Sequence, residues 1–196
     1  MREFRTKQRI DKITSVLSAR QHTLRVVLEN IHDPHNVSAI YRTCDAAGIP
    51  KVTLLYNVEE FPKLSKTSSA SAKKWVETEK FSEAEKCITS LKNYGYKIYS
   101  SVLNKNSKSI YDIDLTDKIA IVLGNESRGV SSEVAESSDE LIYIPMRGMI
   151  QSLNVSVANA VILYEAQRQR MLKGMYNTSQ VTEERLNELI DDWCRK

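Results

Sequence analysis

Apolar positions along the chain switch between two periods. Leu24, Val26, Val27 and Leu28 form a short apolar stretch around Arg25, residues 52–56 and 97–103 are similar stretches with polar interruptions, and residues 119–123 and 141–144 are apolar throughout. Runs this short, bounded by turn residues and rich in Val and Ile, are read as strands, and residues 75–79 complete a set of six. Between them the spacing is helical. Residues 3–19 place Ile10, Ile13, Val16 and Leu17 on one stripe, Asp33-Pro34 opens a helix ending at Gly48, and residues 82–94 form a helix closed by Gly95. Residues 131–137 make a short helix and residues 153–173 a long one. The last periodic stretch, 182–194, follows a Thr182 N-cap with Leu186, Leu189, Ile190 and Trp193 on one face. It is expected to pack on the domain or on the first helix.

Strands alternating with helices predict an α/β domain around a mainly parallel six-stranded sheet covered on both faces, whose ligand sits outside the carboxyl ends of the strands. The 153–173 helix is apolar nearly all round, through Val155, Val157, Ala158, Ala160, Val161, Ile162 and Leu163. It should be buried on two sides, one of them another subunit. The predicted organisation is a helical extension at 1–20, a central domain at 21–175 and a second helical extension at 176–196. Periodicity alone leads to an ordinary open sheet, because true knots are rare.

Composition adds bounds rather than identity. The 196 residues are 41% apolar with a formal charge of +3, only mildly basic, so the distribution of charge matters more than its total. Arg2, Arg5, Lys7, Arg9 and Lys12 crowd the first helix, and Lys63, Lys66, Lys73 and Lys74 punctuate a Ser-rich stretch expected to be a loop with a short helix. Three scattered cysteines, Cys44, Cys87 and Cys194, argue against a disulfide framework or a zinc site and fit a reducing cytoplasm. No apolar run approaches the roughly 20 residues of a membrane span, and the N-terminus lacks a secretory signal.

Polar turns carry the candidate chemistry. Residues 124–131 follow an apolar strand as a phosphate loop would, yet Val130 stands where the Walker lysine is required; Gly-x-Gly-x-x-Gly and Gly-x-Ser-x-Gly are absent. His32 and His35 lack the further ligands of a metal site, so no metal is expected. In residues 144–160, Pro145 and Gly148 break the preceding strand, and Ser152 and Asn154 stand where a new helix exposes unpaired N–H groups. That turn can cradle a ligand. Asn36 and Arg42 lie on the helix after Asp33, and a guanidinium fixed there could hold a phosphate or a developing alkoxide.

Three stretches together, residues 32–43, 121–129 and 144–159, resemble the ordered motifs of the SpoU class of RNA ribose 2′-O-methyltransferases, within the knotted SPOUT superfamily. The terminal helices and the ending Ala166-Gln167-Arg168-Gln169-Arg170 are most similar to members that methylate guanosine-18 in the tRNA D-loop. Siblings acting on ribosomal RNA or on a tRNA anticodon ribose, and a non-catalytic RNA-binding protein of the same fold, are the alternatives. The ribosomal siblings often carry an added N-terminal domain for which this chain has no room.

The resemblance implies a trefoil-knotted homodimer using S-adenosyl-L-methionine (AdoMet) on tRNA. It assigns catalytic roles to Arg42, Asn36, Glu126, Ser152 and Asn154, and cofactor contacts, chiefly through backbone groups, to Ser101, Leu103, Gly124, Ile144, Met146, Ser152 and Leu153. With a pKa above about 12, Arg42 is a poor conventional base. It is expected to stabilise the alkoxide and orient it with an RNA phosphate, while Asn36 and Glu126 fix the geometry. Arg5, Arg9, Arg20, Arg168 and Arg170 are the expected phosphate contacts, with salt-sensitive affinity as the consequence. Two departures stand out: Ser127 replaces a frequent Lys, and Ser101 replaces a frequent Thr. The tail beyond Trp193 is shorter than in some relatives, which implies a smaller terminal RNA surface.

Overall fold

A computed structural model describes residues 2–62 and 72–196. Lys63, Lys66 and most of the Ser-rich stretch lie outside the described residues. The chain runs α1 (Lys7–Ser18), β1 (Leu24–Glu29), α2 (Pro34–Ala46), β2 (Lys51–Leu55), α3 (Ala72–Trp75), β3 (Glu77–Phe81), α4 (Ala84–Asn93) and β4 (Lys97–Ser101). It continues through β5 (Lys108–Ser109), β6 (Ile119–Leu123), α5 (Ser132–Glu136), β7 (Glu140–Tyr143), α6 (Val155–Leu172) and α7 (Glu183–Arg195).

All strand pairs are parallel, in the order β3-β2-β1-β6-β4-β7-β5. The sheet therefore has seven strands, not six. The additional one, β5, is only two residues long, too short to leave an apolar run in the sequence. Trp75 closes α3 instead of opening a strand, and β3 begins two residues later. The first helix starts at Lys7, after Thr6 caps it by accepting from the Arg9 amide; residues 2–4 form a separate 3₁₀ turn.

The period-two alternation sorts the central strands between two cores. Leu24, Val26 and Leu28 of β1 with Ile119, Ile121 and Leu123 of β6 face α2 and α6, meeting Ile40, Tyr41, Ile162 and Leu163. Val27, Ala120 and Val122 face the other way, onto Ala84, Cys87, Ile88 and Leu91 of α4. Both faces are covered, which is why β6 reads as an unbroken apolar run and β1 as one interrupted by Arg25 before Glu29 ends it. Each fully buried Leu or Ile contributes about 1.5–3 kcal/mol. The terminal helices α1 and α7 pack on each other through a third cluster around Ile13, Leu17, Leu189, Ile190 and Trp193, against which Trp75 also packs. Among the described residues, no helix is long and apolar enough to cross a membrane.

At the amino ends of the strands, two arginines expected on phosphates are instead structural. Arg170 is fully buried and donates to the carbonyls of Leu115 (3.0 Å), Thr23 (3.3 Å) and Asp117 (2.6 Å), to Thr23 Oγ1 (2.7 Å) and to Gln21 Oε1 (3.2 Å). Burial pushes its pKa down to about 10. Arg20, 1% exposed, pairs with Asp45 and donates to the carbonyl of Ile49 at 3.0 Å. Neither guanidinium presents a face to solvent, so neither reaches a phosphate. Arg5, Arg9 and Arg168 remain exposed, although Arg5 donates to the Cys194 carbonyl and Arg168 pairs with Glu165.

Candidate active site

The polar turns meet at the carboxyl edge of the sheet. Asp33 caps α2 by accepting from the His35 amide, with Pro34 at the first helical position; that cap orients the first turn so that Asn36 faces inward. Asn154 caps α6 in the same way, accepting from the Ser156 amide at 2.9 Å. Between the two caps lies a continuous bridge. Asn154 Nδ2 donates to Asn36 Oδ1 (3.0 Å), and Asn36 Nδ2 donates to Glu126 Oε1 (2.8 Å). The Glu126 carboxylate also accepts from the backbone amides of His32 (2.9 Å) and Asp33 (3.3 Å). Two side-chain hydrogen bonds, one spanning 118 positions and the other 90, thus join three distant segments.

The electrostatics follow from this geometry. Partial desolvation alone would raise the Glu126 pKa, but the hydrogen bonds from Asn36, from the His32 amide, within Glu126 itself and from the Asp33 amide outweigh it, and the net direction is downward. Glu126 stays ionised and acceptor-only. That fixes Asn36 with its amide nitrogen toward Glu126 and its carbonyl oxygen toward Asn154.

Two asparagines that sequence reasoning passed over hold these loops in place. Asn30, at φ 51°, accepts from the amides of Asn57, Val58 and Glu59 at 3.1–3.2 Å. Asn125 donates to the Asn30 carbonyl (2.7 Å) and accepts from the amides of Ser127 and Arg128. An Asn directly after a strand is the one sequence signal that could have flagged Asn30, because Asn is enriched at positive φ. Glu59 was also missed; it pairs with Arg128 at 2.7 Å and lies 3.4 Å from the His32 ring.

Beside the bridge is an open cavity of about 170 Å³ between the ends of β4 and β7, lined by Ser101, Leu103, Ile144, Met146, Ser152 and Leu153 together with Val102, Ile142, Tyr143, Gln151 and Ala158. Six of the seven expected cofactor positions therefore share one cavity. Gly124 does not line it. A Cβ there would fall 2.1 Å from the Gly129 carbonyl carbon and the Val130 nitrogen, so this glycine is required by the chain doubling back where Asn125 bridges to Gly129. Backbone N–H and C=O groups of Ile144, Met146, Ser152 and Leu153 make no hydrogen bond with described residues. Apolar walls with free backbone donors and acceptors suit a flat heterocycle such as adenine.

Of the expected catalytic residues, Asn36, Glu126 and Asn154 are brought into direct contact, and Ser152 reaches the cavity but not the bridge. Arg42 stands on the exposed face of α2 without a hydrogen-bond partner among the described residues. No group of three metal-ligating side chains occurs among the described residues.

A model of the SpoU rRNA Methylase family matches residues 23–164, a span that contains every element of this site. The chain belongs to the SpoU methylase family. Over all 196 residues, and the whole length of its counterpart, it is 42% identical to the tRNA (guanosine(18)-2′-O)-methyltransferase of Thermus thermophilus. Among solved structures, the Aquifex aeolicus TrmH/SpoU tRNA modifying enzyme superposes with a TM-score of 0.89 at 39% identity, over 96% of each chain. An AdoMet-bound rRNA methyltransferase from Sinorhizobium meliloti gives a TM-score of 0.67 at 26% identity, over 79% of this chain and 59% of that one. The SpoU assignment makes the chain an RNA methyltransferase, and SpoU relatives bind AdoMet.

Proposed function

We propose that this SpoU protein methylates the ribose 2′-hydroxyl of guanosine-18 in the tRNA D-loop, with AdoMet as donor. The observation that carries the reading is the bridge from Asn154 through Asn36 to Glu126, which joins three motifs beside the cavity in a chain that aligns end to end with a tRNA guanosine-18 methyltransferase. When bound, AdoMet supplies an activated methyl group. The residues that would hold it are Leu103, Ile144, Met146, Ser152 and Leu153 around the cavity, with Ser101 contributing a hydroxyl; Gly124 shapes the adjoining turn.

The chain's own contribution is to orient and stabilise. A ribose hydroxyl becomes nucleophilic as its proton leaves, and Arg42, always charged, stabilises the developing alkoxide and clamps a neighbouring phosphate. Asn36, locked by Glu126 and Asn154, holds the first turn of the helix that carries Arg42 and fixes the ribose geometry. Arg5, Arg9 and Arg168 supply phosphate contacts.

The homodimer belongs to the same proposal. One face of α6 is buried in the domain, while Val157, Tyr164, Met171 and Leu172 are 47%, 53%, 60% and 77% exposed along the rest of the helix. A second subunit would cover that apolar face, and the trefoil knot would place the turn at 144–154 against it. Three buried, unpaired cysteines suit the cytoplasm.

The test is incubation with labelled AdoMet and bulk tRNA, followed by mass-spectrometric mapping of the methylated nucleotide. Label at guanosine-18 is expected. Label confined to ribosomal RNA or to an anticodon ribose would overturn the substrate assignment.

A further inference from the structure

At the amino edge of the sheet, far from the bridge, α3 carries Trp75 onto Trp193 of α7. Their ring centroids are 4.6 Å apart and the planes tilted by 44°. Trp193 is buried and Trp75 partly buried. A second cavity of about 170 Å³ opens beside the pair, lined by Arg9, Lys12, Val16, Asp45, Trp75 and Trp193. Its rim is cationic. The Arg9 guanidinium carbon lies 5.3 Å from the Trp75 ring centroid, the Lys74 ammonium 5.0 Å from it, and the Lys196 ammonium 5.9 Å from Trp75 and 5.6 Å from Trp193.

These cations differ from others on the surface. Lys97, Lys108, Lys173 and Arg168 each pair with a carboxylate, whereas the side chains of Arg9, Lys12 and Lys74 pair with none among the described residues. The one acid in the cavity wall, Asp45, is engaged by Arg20. Uncompensated positive charge around a flat aromatic surface is complementary to a ligand that is both anionic and planar. A nucleotide has both properties in one unit: its base stacks on an indole and its phosphate takes the cations. An acidic peptide would use the charge and leave the ring face idle.

We propose that the Trp75–Trp193 cavity is a nucleotide subsite, which takes an unstacked base and flanking phosphate of the substrate RNA at the edge of the sheet opposite the methyl-transfer site. It rests on the tRNA reading above, and deepens it. Trp75 supplies the stacking face, Arg9 and Lys12 the phosphate contacts, and α7 holds the second indole behind the first.

The experiment uses the full-length protein with an unmodified tRNA transcript. Ultraviolet cross-linking with mass-spectrometric mapping is expected to place an adduct on the peptide containing Trp75. Trp75→Leu is expected to raise KM for tRNA about five- to tenfold, with the loss confined to KM, and Trp75→Phe to retain most of the affinity. If Trp75→Leu melts far below the wild type, the Arg9→Gln/Lys12→Gln double variant, altered only on the exposed side of α1, reads the same KM. Wild-type KM in a folded Trp75→Leu protein, adducts confined to other peptides, or protection by polyglutamate equal to that by tRNA would each overturn the subsite while leaving tRNA methylation standing. Absence of methyl transfer to tRNA by the wild type would instead sink the substrate reading, and the subsite with it.

Discussion

The two edges of the parallel sheet are built from opposite chemistry. At the amino edge, Arg170 and Arg20 reach under the strands and direct their guanidinium groups at backbone carbonyls and buried side chains; all five polar contacts of Arg170 are internal. At the carboxyl edge the loops are tied chiefly by the amides of Asn30, Asn36, Asn125 and Asn154 and by the carboxylates of Glu126 and Glu59. Backbone groups of residues 144–153 stay open there, and Arg42 stands exposed. One edge turns its polar groups inward, with Arg20 Nε and His22 Nε2 left without a partner among the described residues. The other is held in shape while keeping donors, acceptors and a charge unpaired, which is what a site for a cofactor and an RNA ribose needs. The same residue type, arginine, serves both edges, and only burial separates the roles.

Breaking the inward-turned edge should have the largest effect. Arg170→Met keeps the apolar stem but leaves the carbonyls of Leu115 and Asp117 and the Thr23 hydroxyl without their Arg170 donor, while the Thr23 carbonyl keeps only the Ile119 amide, at about 1–3 kcal/mol for each group left unsatisfied. The combined loss is expected near 3–5 kcal/mol, seen as a melting temperature lower by roughly 10 °C. A melting temperature within 2 °C of the wild type would show that the amino edge is not clamped by this residue.

Arg42→Ala probes the open edge and should do the reverse. Stability should be unchanged, because the side chain is exposed and has no hydrogen-bond partner among the described residues. Methyl transfer to tRNA should fall by about 10²–10³, the range for removing one donor from a developing oxyanion. AdoMet binding measured by titration calorimetry should stay at the wild-type level, since Arg42 does not line the cavity. Near-wild-type turnover would take Arg42 out of the chemistry.

How much of this contrast was legible beforehand depends on where each residue finds its partners. The central strands announced themselves because burial on both faces makes the run of β6 apolar throughout and that of β1 apolar but for Arg25 and Glu29. β5 did not, since two residues carry no period. Turn and helix chemistry singled out Asn36 and Asn154 separately, but joining them with Glu126 in one site took resemblance to a family, because residues at 36, 126 and 154 meet by topology and not by spacing. Arg20 and Arg170 were misread because arginine is mostly exposed and nothing local marks one whose acceptors are carbonyls at positions such as 115 and 117. Asn30 and Asn125 escaped for a related reason: their partners are chiefly loop amides and carbonyls, which have no residue-type signature.

Acid separates the edges by a smaller effect. Glu126 and Asp114 are both held below their ordinary pKa values, so each contributes stability that is present above its unfolded pKa and lost as pH falls through its folded one. Asp114, at the amino edge, is lowered to about 2, first by the Thr116 hydroxyl, then by the Thr116 amide, and further by Lys173; its contribution disappears only between about pH 4 and pH 2. For Glu126 the opposing desolvation limits the shift, and its contribution should begin to fall away just below the usual glutamate range near pH 4.3. Both groups are largely exposed, so screening keeps each effect small. Melting curves from pH 6 to pH 2 should therefore show Glu126→Gln flattening the upper part of the acid slope and Asp114→Asn the lower part. If Glu126→Gln left the acid slope unchanged, the carboxylate would not be clamped in its ionised form, and Asn36 would lack the acceptor that fixes its amide beside the cavity.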